Sequence, residues 1–246
     1  MSNERLVIIP TYNEKENIEA ILREVFGLPL VFHVLVVDDG SPDGTADIVK
    51  SLQREFPGQL HLEERRGKLG LGTAYIHGFK YALAHGYEYI FEMDADFSHN
   101  PKDLLRLYSA CAEEGYDLSI GSRYVNGVNV VNWPMGRVLM SYFAGKYVRF
   151  ITGMPVNDPT AGFKCYRRRV LEKLKLDKIR FVGYAFQIEM KFETWRHGFK
   201  IKEVTIIFTD RTKGQSKMSI SIFKEALLGV LEIKVKSYFK HYALVN

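Results

Sequence analysis

A short apolar run that ends in two aspartates is the feature that most limits what this chain can become. Residues 88–93 (Glu-Tyr-Ile-Phe-Glu-Met) read as a strand of the mostly apolar kind buried in a parallel sheet. Asp94-Ala95-Asp96 follows directly. Parallel α/β sheets bind ligands outside the carboxyl ends of their strands. Two carboxylates one residue apart on a strand end can point the same way, because side chains alternate with period 2. Left alone they repel, so the pair asks for a cation. Oxygen ligands with open coordination suit Mg2+ or Mn2+, which then bridge substrate phosphates. A turn whose aspartates cap the following helix is the other reading of the same residues.

The first half of the chain alternates strands and helices. Leu6 to Ile9 is a strand that breaks at Pro10-Thr11-Tyr12-Asn13-Glu14, and a helix then carries Ile18, Ile21, Leu22 and Val25 on one face. His33 to Val37 is the second strand and ends in turn chemistry, Asp38-Asp39-Gly40-Ser41-Pro42-Asp43-Gly44-Thr45. A helix to about Glu55 and a strand near Gln59 to Leu62 follow. Gly67, Gly70 and Gly72 lie in a loop that opens a helix running to His85. After the aspartates, Asn100-Pro101 offers an N-cap with proline at the first helical position, for a helix to Glu114, and Asp117 to Gly121 is a further strand. Alternation of this kind predicts an α/β, doubly wound, mostly parallel sheet. The loops after the first, second and fourth strands then gather at one edge.

Composition narrows the class. A chain of 246 residues can bury a large core and is about the upper limit for one domain. The net charge of +5 is concentrated in the C-terminal third, which leans toward phosphate-bearing partners or an anionic membrane surface. Cys111 and Cys165 have neither zinc-site spacing nor a disulfide framework, which predicts a reducing compartment. No signal peptide and no apolar run of membrane-spanning length is visible. The glycines read G-x-x-G-x-G and do not follow the first strand, so a dinucleotide fingerprint is a poor fit.

Pro10-Thr11-Tyr12-Asn13-Glu14, Asp38-Asp39-Gly40-Ser41-Pro42-Asp43-Gly44-Thr45, Gly70-Leu71-Gly72-Thr73-Ala74-Tyr75 and Asp94-Ala95-Asp96 occur in the order seen in family 2 glycosyltransferases. The likeness continues through Gly121-Ser122-Arg123-Tyr124, Asn132-Trp133-Pro134 and Arg211 to Lys217. Within that family the chain most resembles dolichol- or polyprenol-phosphate mannose synthases, over roughly residues 5–218. The resemblance implies a GT-A fold, over residues 1–218; residues 219–246 read from their apolar spacing as a C-terminal amphipathic helix at the membrane interface, part of the same domain. It implies an inverting transfer of mannose from GDP-mannose to a polyprenyl monophosphate, with Mg2+ or Mn2+. A UDP-sugar-dependent hexosyltransferase, or an inactive nucleotide-binding subunit docked on a membrane, are the alternatives.

Residue by residue, the resemblance places Pro10, Tyr12, Glu14, Val37 and Asp39 around the nucleoside. A tyrosine face for stacking and carboxylates for guanine NH or ribose hydroxyls are consistent with that role. Asp94, Ala95 and Asp96 match the metal and diphosphate site. Many relatives have Gln two residues after the second Asp; here Ser98 stands there, able to reach a metal only weakly or through water, followed by His99, read as a surface or capping residue. Arg123 matches a donor or acceptor phosphate contact, and Arg137 with Ser141 the acceptor-phosphate site. Arg211 and Lys217 match a loop that closes over the donor. Any one of these basic residues also reads as solvated surface.

Two stretches strain a purely soluble reading. In residues 126–153, Trp133, Val138, Leu139, Tyr142, Phe143, Tyr147, Val148, Phe150 and Ile151 interleave with Arg137, Lys146 and Arg149. Downstream, Ile220, Phe223, Leu227, Val230 and Leu231 recur at helical spacing beside Lys234, Lys236 and Lys240. Helices lying in a membrane interface have this character; so does a helix pair packing on a core. The expectation is a protein on the cytoplasmic face of a membrane, without nucleic acid, with room for a small membrane-bound partner subunit. Glu189 is placed like a general base of hydroxyl-using relatives, and could equally be structural.

Overall fold

The computed structural model describes residues 4–210 and 220–245. Its nine strands and eight α-helices run, in chain order, β1 (Arg5–Thr11), α1 (Ile18–Phe26), β2 (His33–Asp38), α2 (Thr45–Leu52), β3 (Leu60–Glu64), α3 (Leu71–Ala84), β4 (Tyr89–Glu92), α4 (Asp103–Ala112) and β5 (Leu118–Ser122). The second half contributes β6 (Val130–Val131), α5 (Met135–Thr152), β7 (Lys164–Arg167), α6 (Arg168–Lys173), α7 (Tyr184–Arg196), β8 (Ile201–Thr205), β9 (Phe208–Thr209) and α8 (Ile220–Phe239).

Seven strands form one sheet in the order β3-β2-β1-β4-β7-β5-β8. All pairs are parallel except those made by β7, which runs antiparallel between β4 and β5. The alternation of β1 shows why the sheet is covered on both faces. Leu6 and Ile8 pack into one apolar layer with Tyr75, Phe79 and Phe186. Val7 and Ile9 pack into the other with Ile18, Ile21, Leu22, Val25, Leu104 and Leu107. All four apolar positions expected on one face of α1 are buried.

α3 lies close on the first face because two of its residues lack a side chain. A Cβ on Gly78 would come within 2.6 Å of Ile8 Cγ2, and one on Gly72 within 2.8 Å of Phe186 Cγ. Gly72 is therefore inside the helix and not in the loop before it. Gly70, at φ +99°, makes the turn into α3.

Two expected features change. α4 starts at Asp103 and not at Pro101: a turn closed by the Asp103 N–H to the Asn100 carbonyl (3.0 Å) precedes it, while the Asn100 carboxamide oxygen accepts the Lys102 N–H (3.0 Å) in the manner of the expected cap. The neighbour of β4 on that side is not β5 but the antiparallel β7, which follows α5 in the chain and lies between β4 and β5.

Because β1, β2, β4 and β5 point the same way, their C-terminal ends, at Thr11, Asp38, Glu92 and Ser122, share one edge. The loops that follow these four strands carry Tyr12 and Glu14, Asp39, Asp94 and Asp96, and Arg123. A small parallel ribbon of β6 and β9 stands over the β4 and β5 end of that edge.

Candidate active site

The turn after β4 rests on a buried charged support. Glu92 and Lys164 are fully buried and form an ion pair (2.9 Å), and Gln187 Nε2 donates to Glu92 (2.9 Å). Burial pulls the Lys164 pKa down despite Glu92. With the strand end fixed, Tyr75 OH donates to Asp94 Oδ1 (3.2 Å), and burial together with that carboxylate lifts the tyrosine pKa well above its usual value. Asp96 is buried, and its Oδ1 accepts the Ser98 N–H (3.0 Å) and the Ser98 hydroxyl (2.5 Å). Phe97 takes a left-handed φ of 59° to make this turn. The Ser98 hydroxyl is thus committed to orienting Asp96. Among the described residues no group of three or more His, Cys, Asp or Glu converges as a ready-made metal cage. Two carboxylates at a strand end fit a hard cation that takes its remaining ligands from diphosphate oxygens and water, which is how Mg2+ is commonly held.

The nucleoside candidates sit on two loops laced together. Asn13 N–H donates to Ser41 Oγ (3.0 Å), Glu14 N–H to Thr45 Oγ1 (3.0 Å) and Lys15 N–H to Asp43 Oδ2 (3.1 Å). Glu14 is buried and accepts from Asn17 (3.1 Å). Pro10, in register with Val37 on β2, is half-buried. Val37 itself is wholly buried in the core, so its side chain packs the sheet. Asp39 is already engaged: Arg65 donates from Nε (2.7 Å) and the Leu69 N–H reaches its other oxygen (3.2 Å). Lys68 Nζ stands 5.3 Å from the centre of the Tyr12 ring. Arg65 and Lys68 were not singled out from the sequence, where Arg65-Arg66-Gly67-Lys68 reads as a solvated basic loop.

The phosphate candidates gather elsewhere on the edge. Arg123 follows β5 and is buried. It donates to Asp158 from Nε (2.7 Å), Nη2 (2.6 Å) and the backbone N–H (3.0 Å), and to Thr160 Oγ1 from Nη2 (2.9 Å). Burial alone would lower the Arg123 pKa, but the Asp158 charge outweighs it and holds the group above its ordinary value; Asp158 is in turn held below the usual carboxylate range. Asp158 and Asn157 are themselves clamped through their N–H groups by Glu203 of β8 (2.9 and 2.8 Å). Lys191, fully buried on α7, donates to the carbonyls of Pro159 (3.0 Å) and Ala161 (2.6 Å) and so fixes the same loop.

α5 begins after Trp133-Pro134 and presents Arg137 and, one turn on, Ser141. The Arg137 guanidinium lies 4.1 Å from the centre of the Trp133 ring and donates to Asp210 Oδ2 (2.7 Å). Asp94, Arg123, Arg137 and Ser141 all line one cavity of about 170 Å3. Its other walls include Trp133, Met140, Tyr147, Ile188, Phe208 and Leu227, so the two cations share the cavity with a largely apolar lining to which α5, α7 and α8 contribute. His99 also lines it. This residue is buried, stacked on Phe163 (4.8 Å) and edge-on to Phe208, and burial pushes its pKa down to about 4; it is not a surface residue.

The structure therefore brings together Asp94, Arg123, Arg137 and Ser141. Tyr12, Glu14 and Asp39 occupy the neighbouring loops and do not line that cavity. Arg211 and Lys217 lie outside the described residues. Asp158 and Thr160, in Asn157-Asp158-Pro159-Thr160, were not singled out from the sequence; the signal for them was the need of a buried Arg123 for a carboxylate. Glu189 stands apart from the cavity lining, where Ile188 is the wall residue. Its Oε2 accepts the N–H groups of Arg180 (3.0 Å) and Phe181 (3.4 Å), and burial raises its pKa.

α8 packs on both α5 and α7, and α5 and α8 leave large apolar groups in solvent. Phe143, Phe150 and Phe239 are 63%, 87% and 88% exposed, and Met135, Leu228, Val235 and Tyr238 are exposed on the same two helices. Among the described residues no helix is long and apolar enough to cross a membrane.

A nucleotide-type α/β sheet with an acidic strand-end turn beside a cationic cavity defines a group-transfer enzyme acting on phosphorylated ligands. Comparison with known proteins makes the class specific: residues 6–175 match Glycosyl transferase family 2, and the chain belongs to that family of glycosyltransferases. It is 48% identical over 227 residues to a polyprenol monophosphomannose synthase of Mycolicibacterium smegmatis, covering 92% of this chain and 85% of the relative. It is 45% identical over 225 residues to an undecaprenyl-phosphate mannosyltransferase of Micrococcus luteus, covering 92% and 91%. Among solved structures, glucosyl-3-phosphoglycerate synthase of Mycobacterium tuberculosis, in complex with Mn2+, UDP and glucosyl-3-phosphoglycerate, superposes with a TM-score of 0.69 at 18% identity, covering 94% of this chain and 80% of that one. A mannosyltransferase of Pyrobaculum calidifontis in complex with GDP-Man and Mn2+ gives 0.58 at 18% identity, covering 95% and 73%. These likenesses establish the fold, the α/β arrangement of GT-A type that the motifs implied.

Proposed function

We propose that this chain transfers mannose from GDP-mannose to the phosphate of a polyprenyl monophosphate, with inversion, giving polyprenyl-phosphate β-mannose and GDP. One observation carries the reading: Asp94, Arg123, Arg137 and Ser141 share a cavity whose other walls are largely apolar. That combination suits a ligand with an anionic head and a hydrocarbon tail. The names of the two relatives point to the same acceptor and the same sugar.

In this reading the nucleoside lies over Tyr12, Glu14 and Asp39, and the diphosphate lies at Asp94-Ala95-Asp96. Asp94 and Asp96, their carboxylates fixed by Tyr75 and Ser98, would hold a divalent cation, Mg2+ or Mn2+, which would supply positive charge at the donor diphosphate. Arg211 and Lys217 complete the donor contacts. An acceptor phosphate oxygen forms the new bond to C1 of the sugar as the bond from C1 to the diphosphate breaks. The acceptor's second pKa is about 6, so it is largely a dianion near neutrality and needs no general base. What it does need is positive charge to approach a negative donor, and Arg123 and Arg137 supply it. Phe143, Phe150 and Phe239 with the basic residues of α5 and α8 rest the enzyme on the membrane that holds the lipid.

The test is a transfer assay with polyprenyl monophosphate, Mg2+ and a panel of labelled GDP-mannose, UDP-glucose and other sugar nucleotides. GDP-mannose should be the donor used. Preference for a UDP-sugar would replace the guanine reading, and no transfer from any donor would make the chain a binding subunit.

A further inference from the structure

The cation assigned to the acceptor phosphate already has an anion on it. Arg137 Nη1 donates to Asp210 Oδ2 at 2.7 Å, with side chains 28% and 32% exposed. Both ends of this pair are built in place. Arg137 lies on the Trp133 ring at 4.1 Å, so its guanidinium is supported whether or not a carboxylate is present. Asp210 follows β9 directly: its N–H donates to the Val131 carbonyl (3.2 Å), and the N–H of Thr209 donates to Ser98 O (3.2 Å). One short strand thus ties the metal turn at Ser98 to the anion facing Arg137.

We propose that Asp210 is an internal competitor for the acceptor phosphate, which must be displaced from Arg137 before the acceptor can bind, and which thereby selects phosphate monoesters over weaker anions. This rests on the reading of Arg137 as an acceptor-phosphate group. A cationic cavity open to solvent attracts any small anion. Asp210 offers Arg137 one charge and two oxygens, whereas a phosphate monoester carries about −1.5 to −2 and three acceptor oxygens at neutral pH. The monoester gains by the exchange. A singly charged diester has no charge advantage over the carboxylate it would replace. A pair buried away from the cavity would be a structural contact; this one stands on a residue of the cavity wall and is exposed enough to exchange.

The inference is tested by measuring the acceptor KM and the inhibition constant of inorganic phosphate for the wild-type chain, Asp210→Asn, Arg137→Ala and the double variant. Asp210→Asn keeps the shape and removes the charge. Both constants should fall about two- to fivefold, the range that a partly exposed ion pair commands. In the Arg137→Ala background the same change should have no effect. A residue that only braced the structure would raise KM when altered and would leave phosphate inhibition alone. If Arg137→Ala raises KM while Asp210→Asn leaves both constants unchanged or raises them, the competitor role is wrong and the acceptor site stands. If Arg137→Ala leaves KM unchanged, the acceptor-site reading fails and this inference with it.

Discussion

The Arg123 guanidinium and the Asp158 carboxylate meet edge to edge, Nε to Oδ2 at 2.7 Å and Nη2 to Oδ1 at 2.6 Å, with Asp158 entirely out of solvent. This pair decides where the positive charge of the cavity points. Asp158→Asn leaves a buried cation facing a neutral amide, and breaking a buried pair from one side costs about 3–5 kcal/mol. Urea unfolding should show a loss of that order. Arg123→Lys keeps the charge but cannot reproduce the two-point contact, and should raise the acceptor KM with less loss of stability.

The carboxylates of the β4 turn should matter for turnover and little for folding. Asp94→Asn and Asp96→Asn are expected to lower kcat by roughly three decades, since a bound metal contributes several kcal/mol of charge stabilisation. Thermal unfolding should stay close to that of the wild type. A variant that keeps full activity in excess chelator would remove the metal assignment.

Glu189 and Arg137 make opposite predictions. The Glu189 carboxylate holds the N–H groups of Arg180 and Phe181, so Glu189→Gln should cost about 1 kcal/mol of stability and change kcat by less than about threefold. Arg137→Ala should raise the acceptor KM severely. Steady-state kinetics of the two variants side by side distinguishes a phosphate acceptor from a hydroxyl acceptor that needs a base.

Much of the first half was legible because each element there carries its own local pattern. Ile18, Ile21, Leu22 and Val25 repeat with the helical period, and the apolar strands end in turn residues that also carry the chemistry. The second half was harder for two reasons. α7 buries Gln187, Lys191 and Glu193 together with Phe186, Ile188 and Phe192, so no single face stands out by polarity. β7 is short and joins the sheet antiparallel between strands far from it in sequence, which no local pattern announces. The site divides in the same way. Asp94, Asp96, Arg123 and Arg137 were visible in their motifs. Asp158, Lys191 and the Glu92–Lys164–Gln187 support were not, because buried charges declare themselves only once their partners are known. His99 was misread as surface because a polar residue after a turn is usually exposed, whereas here Phe163 and Phe208 enclose it.

Acid should weaken the fold before it reaches the carboxylate range. Burial holds His33 and His61 below the ordinary value of 6.5. Above pH 6.5 both states leave these histidines neutral and stability is full. As pH falls through 6.5 the unfolded chain takes up protons that the folded chain refuses, so stability declines toward the lowered folded values. Tm should therefore drop between pH 7 and pH 5. His33→Asn, which keeps a polar atom near the Tyr87 hydroxyl now 2.8 Å from Nδ1, should make that drop shallower.

The exposed aromatic groups of α5 and α8 should bind membranes. In liposome flotation the chain should float with anionic vesicles at low salt and less so as salt rises, because basic residues and apolar insertion act together. Phe150→Ser with Phe239→Ser should abolish flotation without lowering Tm, since both rings are almost fully in solvent. Unchanged flotation by that double variant would move the contact elsewhere.

The central claim is that the acceptor is a phosphate monoester and not a hydroxyl. It is tested most directly by offering labelled GDP-mannose, with Mg2+, to a polyprenyl monophosphate and to the same polyprenol without its phosphate, and by following label into the lipid phase. The account predicts mannosylation of the monophosphate alone, with GDP released in equal amount. Equal mannosylation of the free alcohol would contradict it.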